Sequence, residues 1–436
     1  MTKPYQEMTP AQQEQEYAQL QQQYRAFQAK GLALDMSRGK PGVDQLDLSM
    51  PMVDTITSSH NLKTEGGVDA RGYGQLDGVP ETKKLFADML GIQPENILIG
   101  GNSSLNMMFD SICWSMSLGV MGSTPWAKLD RVKFLCPVPG YDRHFAICEL
   151  FGIEMINIPM NADGPDMDLV ERLVQSDPAI KGIWCVPMYS NPTGITYSDE
   201  VVRRFAQLKP AARDFRIYWD NAYCVHHISD TPDRLLNIFD ECAKYGTEDL
   251  VYEFASTSKI SFSGAGIAVM AASERNMKDL KSKRTIQTIG PNKINQLMHT
   301  RYFKDIDGIR AHMKKHQALL APKFAAVLEA CDTELAPCGI CDYTRPNGGY
   351  FISFNTLPGC AKRVGQLCRE GGVTLTEVGA TFPYGKDPEN QNIRIAPTFP
   401  PVAELKQALE LFCISVKMAS LEKLLGRLPT GDANLS

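Results

Sequence analysis

Lys259 stands where an apolar run stops: Leu250-Val-Tyr-Glu-Phe-Ala255 gives way to Ser256-Thr-Ser-Lys259-Ile-Ser-Phe-Ser-Gly264-Ala-Gly266. A strand that delivers an amine into a turn of hydroxyls, with glycines permitting close backbone approach, takes that amine out of water. Desolvation lowers its pKa until it can attack a carbonyl and form a Schiff base. Read alone, the segment also suits a surface lysine in a serine-rich turn, so the other residues decide.

Four more stretches end apolar runs in polar chemistry. Gly100-Gly-Asn102-Ser103-Ser104 feeds a helical pattern, and its free N–H groups and hydroxyls suit a phosphate, or simply cap a helix. Pro137-Val-Pro-Gly-Tyr141 offers an aromatic that could stack on a flat ring or fill a core. Ser190-Asn191-Pro-Thr-Gly194 is a dense turn whose carboxamide can hydrogen-bond a phenolic oxygen. Asp220-Asn-Ala-Tyr223 places a carboxylate at a strand end, as an N-cap or as the partner of a buried cation. With Ser256 and Lys259, these groups describe one ligand: a flat ring carrying a phosphate arm, a phenolic oxygen, a protonatable nitrogen and an aldehyde. That ligand is pyridoxal 5′-phosphate.

Such groups need a scaffold, and the hydrophobic pattern supplies one. Strand-like runs at Ile97–Ile99, Val132–Cys136, Met155–Ile158, Gly182–Val186, Arg216–Trp219, Leu250–Ala255 and Ile267–Ala272 alternate with amphipathic stretches at Pro80–Leu90, Asp142–Phe151, Met167–Val174, Asp199–Leu208 and Asp233–Ala243. The alternation predicts an α/β fold: a large domain over residues 49–307 with a mostly parallel, mixed seven-stranded sheet covered by helices. Ligands of such sheets sit beyond the carboxyl ends of strands, where the polar residues fall. The chain opens with Thr9-Pro10-Ala-Gln12, a capping box before a helix whose Tyr17, Leu20, Tyr24 and Phe27 share a face. Beyond residue 308 a long helix (Ile309–Ala330), short strands near Gly348–Phe354, Val373–Leu375 and Asn392–Ala396, and helices Ala361–Arg369 and Val402–Leu425 predict a smaller α+β domain.

Composition bounds the function classes. The 436 residues are 43% hydrophobic and 22% charged with a net charge of −5, and no run of basic residues points to nucleic acid or an anionic membrane. No apolar stretch reaches a membrane span, and the polar start lacks a signal-peptide core. Twelve cysteines then read as reduced thiols of a cytoplasmic protein, and Cys338-Gly-Ile-Cys341, the lone CxxC, predicts no metal site.

The ordered motifs Asn191-Pro-Thr-Gly194, Asp220-x-Ala-Tyr223, Ser256-x-x-Lys259 and Asn392-Ile-Arg394-Ile resemble those of the fold-type I pyridoxal-phosphate enzymes, specifically the class I/II aminotransferases, across most of the chain. The resemblance implies that Lys259 holds the cofactor and shuttles the proton, and that Asp220 keeps the ring nitrogen protonated. Asn191 and Tyr223 would bond the phenolic oxygen, and Tyr141 would cover the ring. It implies a phosphate site of Asn102, Ser103, Ser104 and Ser256, with Tyr73 crossing from a second copy, hence a homodimer with shared active sites. Arg394 would grip the substrate α-carboxylate beside Gly39 and Asn191, and residues 1–48 would join 308–436 in the small domain.

One departure stands out. The family's phosphate-binding arginine after the lysine is absent from Ser261-Phe-Ser-Gly-Ala-Gly266-Ile-Ala268, a feature that resembles a divergent aspartate aminotransferase subgroup carrying Ile289-Gly-Pro-Asn-Lys293-Ile-Asn-Gln296. Lys293 could serve, or be a solvated helix lysine. Lys281, Lys283 and Arg284 are candidates for a distal substrate carboxylate, or a basic face in solvent. The expected activity is amino transfer from an amino acid, aspartate first, to a 2-oxo acid, 2-oxoglutarate first. Aromatic or kynurenine-type transamination, β-elimination and the non-catalytic effector domains of GntR-type regulators are the alternatives, the last disfavoured by the lack of a basic module before residue 34.

Overall fold

The computed structural model describes residues 3–428. Its strands, in chain order, are β1 (Leu34–Asp35), β2 (Ile97–Ile99), β3 (Lys133–Val138), β4 (Glu154–Asn161), β5 (Gly164–Pro165), β6 (Ile180–Cys185), β7 (Arg216–Asp220), β8 (Val251–Ser256), β9 (Ala268–Ala272), β10 (Cys341–Tyr343), β11 (Ile352–Thr356), β12 (Val373–Thr374) and β13 (Asn392–Ile395). The large sheet runs β2-β9-β8-β7-β6-β3-β4-β5. Its centre, β8-β7-β6-β3-β4, is parallel, while β9 is antiparallel to both β2 and β8.

All seven predicted strands are present, and the sheet has an eighth. Gly164 and Pro165 fold back antiparallel onto Met160 and Asn161. Two residues carry no periodicity, and a proline, lacking an N–H, is readily accommodated at such an edge. The central strands read as continuous apolar runs because both faces are covered. On β7, Ile217 and Trp219 enter one core while Tyr218 enters the other. A second difference concerns the helix expected from Asp233, which begins only at Ile238, capped by the Asn237 side chain on the N–H of Phe239. Asp233 is held elsewhere: its carboxylate accepts from Thr196 Oγ1 (2.7 Å) and Asn347 Nδ2 (2.8 Å).

Helix Pro10–Gln28 carries the expected capping box at Thr9. Its Leu20, Tyr24 and Phe27 share an apolar cluster with Phe324, Val364, Leu405 and Phe412, and Tyr24 donates to the Leu367 carbonyl at 2.7 Å. There β10-β11-β13 form an antiparallel sheet and β1 pairs in parallel with β12. Among the described residues no helix is long and apolar enough to cross a membrane.

Candidate active site

β8 is buried along its length and ends at Ser256. The turn that follows is fixed from inside: Thr257 Oγ1 accepts from the N–H of Ile267 (2.8 Å), and the Ile260 carbonyl accepts from His312 Nε2 (2.9 Å) and His316 Nε2 (3.0 Å). With Nε2 donating, His316 Nδ1 is the acceptor for Gln45 Nε2 (3.2 Å), which also donates to Tyr350 Oη (2.9 Å). Burial lowers the pKa of both histidines, His316 to about 4, so this bracket is neutral. Lys259 sits above it with Nζ 4.9 Å from the Tyr223 ring centre and 5.9 Å from that of Tyr350. Desolvation lowers the pKa of its amine, against the opposing pull of Asp220. Behind it lies His226, buried, with neither ring nitrogen hydrogen-bonded.

Asp220 closes β7 with its side chain buried. One oxygen, Oδ2, is 3.0 Å from His144 Nε2, while Oδ1 is buried without a partner. A bare buried carboxylate oxygen is costly unless a donor comes to it. His144 stacks on Trp184 (4.4 Å, 11° between planes) and meets Tyr141 edge-on (4.9 Å, 74°). Tyr141 caps helix Asp142–Leu150, so a residue three positions on shares its side of the helix. That spacing was the one sequence signal for His144, which sequence reasoning missed. Tyr223 is buried and stacks on Tyr350 at 5.9 Å, its phenol raised well above its ordinary pKa by burial first and then by neighbouring negative groups.

The glycine turn and the lysine turn are stitched together. Asn102 Nδ2 donates to the carbonyls of Ser263 (3.2 Å) and Gly264 (3.3 Å), and Ser258 Oγ donates to the Asn102 carbonyl (2.6 Å). The Asn102 amide is therefore engaged in bracing the loop. Ser103 is the N-cap of helix Ser104–Leu118 but makes no side-chain cap bond, leaving the first-turn N–H groups and both hydroxyls available to an anion. Ser256 Oγ accepts only a long bond, 3.4 Å, from the N–H of Ser258.

Two predicted residues lie apart from this cluster in a single chain. Tyr73 is 88% exposed. Lys293 is not the solvated lysine that was one reading of it: it is buried and donates to the Gly74 carbonyl at 3.1 Å. The basic stretch is likewise not free in solvent. Lys281 pairs with Asp77 (2.6 Å), Lys283 with Asp279 (2.5 Å), and Arg284 is buried against a cavity of about 250 Å³ shared with Gly100, Gly101 and Asn106.

Arg394, on β13 opposite Ser353 of β11, points its guanidinium across to the large sheet. Its Nη1 donates to Asp142 Oδ1 (2.8 Å) and Asn191 Oδ1 (3.3 Å), its Nε reaches Thr376 Oγ1 at 3.5 Å, and its carbon lies 5.0 Å from the Phe351 ring centre. The Phe351 ring is also why residue 39 is glycine: a Cβ there would fall 2.0 Å from Phe351 Cζ. Lys259, Asp220, Tyr223, Tyr141, Asn191 and Arg394 thus gather where β7, β8 and the loop after β6 end, and β13 closes over them. The arrangement can hold a planar cation-bearing ring against Asp220, offer an amine whose pKa burial lowers, and grip a carboxylate.

The family model described as Aspartate amino-transferase matches residues 8–428. A curated relative, the aspartate aminotransferase of Corynebacterium glutamicum, is 47% identical over 397 residues, covering 91% of each chain. A crystal structure of an aspartate transaminase from the same organism superposes with a TM-score of 0.94 at 44% identity, covering 97% of this chain and 100% of that one. The α-aminoadipate aminotransferase LysN of Thermus thermophilus, solved with N-(5′-phosphopyridoxyl)-L-leucine, shares the fold at 20% identity and a TM-score of 0.72, covering 91% and 95%. With a family match along nearly the whole chain and relatives this similar over nine-tenths of it, the protein belongs to the aspartate aminotransferase family and is an aminotransferase.

Proposed function

We propose that this aminotransferase works with pyridoxal 5′-phosphate attached to Lys259 as a Schiff base, moving the amino group of aspartate to 2-oxoglutarate. The observation that carries the reading is the Asp220 carboxylate, buried, oriented through His144, and bare at Oδ1, which fits the protonated nitrogen of a pyridine ring. When bound, the cofactor supplies an aldehyde that condenses with amines and a ring that draws electrons from the substrate α-carbon.

The chain's own residues do the rest. Lys259, the pKa of its amine lowered by desolvation, would hold the cofactor and move the proton at the substrate α-carbon. Asp220 holds a proton on the ring nitrogen, with His144 fixing the carboxylate and Tyr141 covering the ring face. Tyr223 and the Asn191 amide hydrogen-bond the phenolic oxygen. Ser103, Ser104 and Ser256, braced by Asn102, hold the phosphate. Tyr73, exposed in its own chain, reaches a second copy's phosphate, which makes the working unit a homodimer. Arg394 binds the α-carboxylate, backed by Gly39 and Asn191. We assign residues 49–307 to the cofactor-binding part and 1–48 with 308–436 to the smaller part, a division supported by the apolar cluster that both chain ends share.

Aspartate is favoured as donor by the 47% identical relative of that name. Borohydride reduction of the yellow holoenzyme should fix cofactor to Lys259 and fail in Lys259→Ala; trapping on another lysine overturns the assignment. Among donors compared by kcat/KM, a preference for phenylalanine or alanine over aspartate overturns the substrate but leaves the lysine chemistry standing.

A further inference from the structure

The Arg394 guanidinium is already holding a carboxylate. Nη1 has two hydrogens, and both are committed: one to Asp142 at 2.8 Å, the other to Asn191 at 3.3 Å. A substrate carboxylate that takes both Nη atoms, the fork geometry that arginine offers, must displace one of them. Asn191 is buried and belongs to a rigid turn, whereas the Asp142 side chain is 32% exposed. Among the described residues the Asp142 carboxylate has no hydrogen-bonding partner besides Arg394. It is also the first residue of helix Asp142–Leu150, whose amino end stabilises a carboxylate that has let go of its arginine.

We propose that Asp142 is a substrate-mimicking latch: its carboxylate neutralises Arg394 in the resting enzyme and is exchanged for the α-carboxylate of the incoming amino or 2-oxo acid. The inference rests on Arg394 being the α-carboxylate grip. The charge balance is the physical reason for an exchange. A guanidinium 8% exposed is costly to leave unpaired, and two carboxylates on one buried guanidinium leave a net negative charge in the pocket. With one leaving as the other arrives, the pocket stays neutral before and after binding. A latch of this kind sets KM: when the unlatched form is about a tenth of the population, every carboxylate ligand binds about tenfold more weakly than the open site would bind it.

The test uses holoenzyme. In Asp142→Asn and Asp142→Ala, KM for the amino donor and the dissociation constant of succinate, an unreactive dicarboxylate, should both fall by about three- to tenfold, with kcat moving less than KM. Asp142→Glu, which keeps the charge, should stay closer to the parent than either. Unchanged or raised KM and succinate constants in both neutral variants overturn the latch, as does an equal fall in Asp142→Glu. Arg394→Lys, run in parallel, separates the two ideas. If it raises KM more than tenfold while the Asp142 variants change nothing, the grip stands and the latch falls; if it leaves KM unchanged, the reading of Arg394 itself is wrong.

Discussion

Replacing Asp220 with asparagine tests the central claim with the least disturbance of shape. The amide nitrogen can keep the 3.0 Å contact by donating to His144 Nε2, and the amide oxygen takes the position of the bare Oδ1, where it still accepts. What changes is charge. Opposite unit charges at about 3 Å in an effective dielectric of about 20 attract by about 5 kcal/mol. A neutral hydrogen bond returns about 1 kcal/mol of that, so the ring nitrogen loses about 4 kcal/mol of help in holding its proton. At about 1.4 kcal/mol per decade, the amino-acid half-reaction should slow by about three orders of magnitude if the whole loss is felt in the transition state. The apoprotein should behave in the opposite sense: removing a buried charge with an unpaired oxygen should leave its melting temperature level or raise it. Single-turnover absorbance with aspartate and a thermal melt of the apo form measure the two sides. A half-reaction within threefold of the parent refutes the electron-sink role, and a large fall in apo stability would mean that Asp220 serves the fold.

Three further outcomes follow from particular contacts. Gly39→Ala puts a Cβ 2.0 Å from Phe351 Cζ and pushes the ring from under Arg394; losing a cation–π contact of about 0.5–2 kcal/mol should raise KM about two- to thirtyfold, and steady-state kinetics with unchanged KM would refute the coupling. Glu253 is buried on β8 with Asn221 Nδ2 at 2.8 Å, and desolvation raises its pKa from 4.5 to about 7. The folded state therefore holds the proton more tightly than the unfolded one, so stability is lost as pH rises from about 4.5 to about 7. Glu253→Gln should match the parent in melts below pH 4.5 and exceed it by up to about 3 kcal/mol above pH 7.5; parallel melting curves across that range contradict the shift. Tyr73→Phe should weaken cofactor retention without changing the melt of the apo chain, because the ring is 88% exposed, and sedimentation showing a fully active monomer would remove the shared-site reading.

How much was legible follows from what each residue touches. The central strands could be read because both faces are covered, which forces a continuous apolar run on the sequence. Lys259, Asp220 and Asn191 could be picked out as candidates because each ends such a run or lies in the turn that follows it. His144, His312 and His316 were harder to read: each meets its partner across 52 to 76 residues of chain, and apart from the spacing of His144 from Tyr141 no local pattern reveals an acceptor. Arg394 shows the limit of weighing one residue alone. A lone strand arginine ordinarily serves a structural ion pair, and the structure has one, to Asp142, at the candidate site, so an ion pair does not exclude a substrate grip.

The missing phosphate arginine is the place where sequence and structure together say more than either. From sequence, its absence is a subtraction: a dianion left to hydroxyls and N–H groups, each weaker than charge-assisted pairing. In the structure, the segment where that arginine is absent is tied down from two sides. The Asn102 amide holds the Ser263 and Gly264 carbonyls, and Asn295 Nδ2 donates to the Gly266 carbonyl at 2.9 Å. Neutral donors bind an anion well only when their positions are fixed beforehand, since each that must be ordered on binding subtracts from the affinity. Ser103 and Ser104 stand at the start of a 15-residue helix, and Ser258 is bonded to the Asn102 carbonyl, so the donors of the proposed phosphate site are ordered beforehand. On the proposed reading, rigidity stands in place of the charge. Asn102 is accordingly better understood as the brace that makes the hydroxyls effective than as one more donor among them.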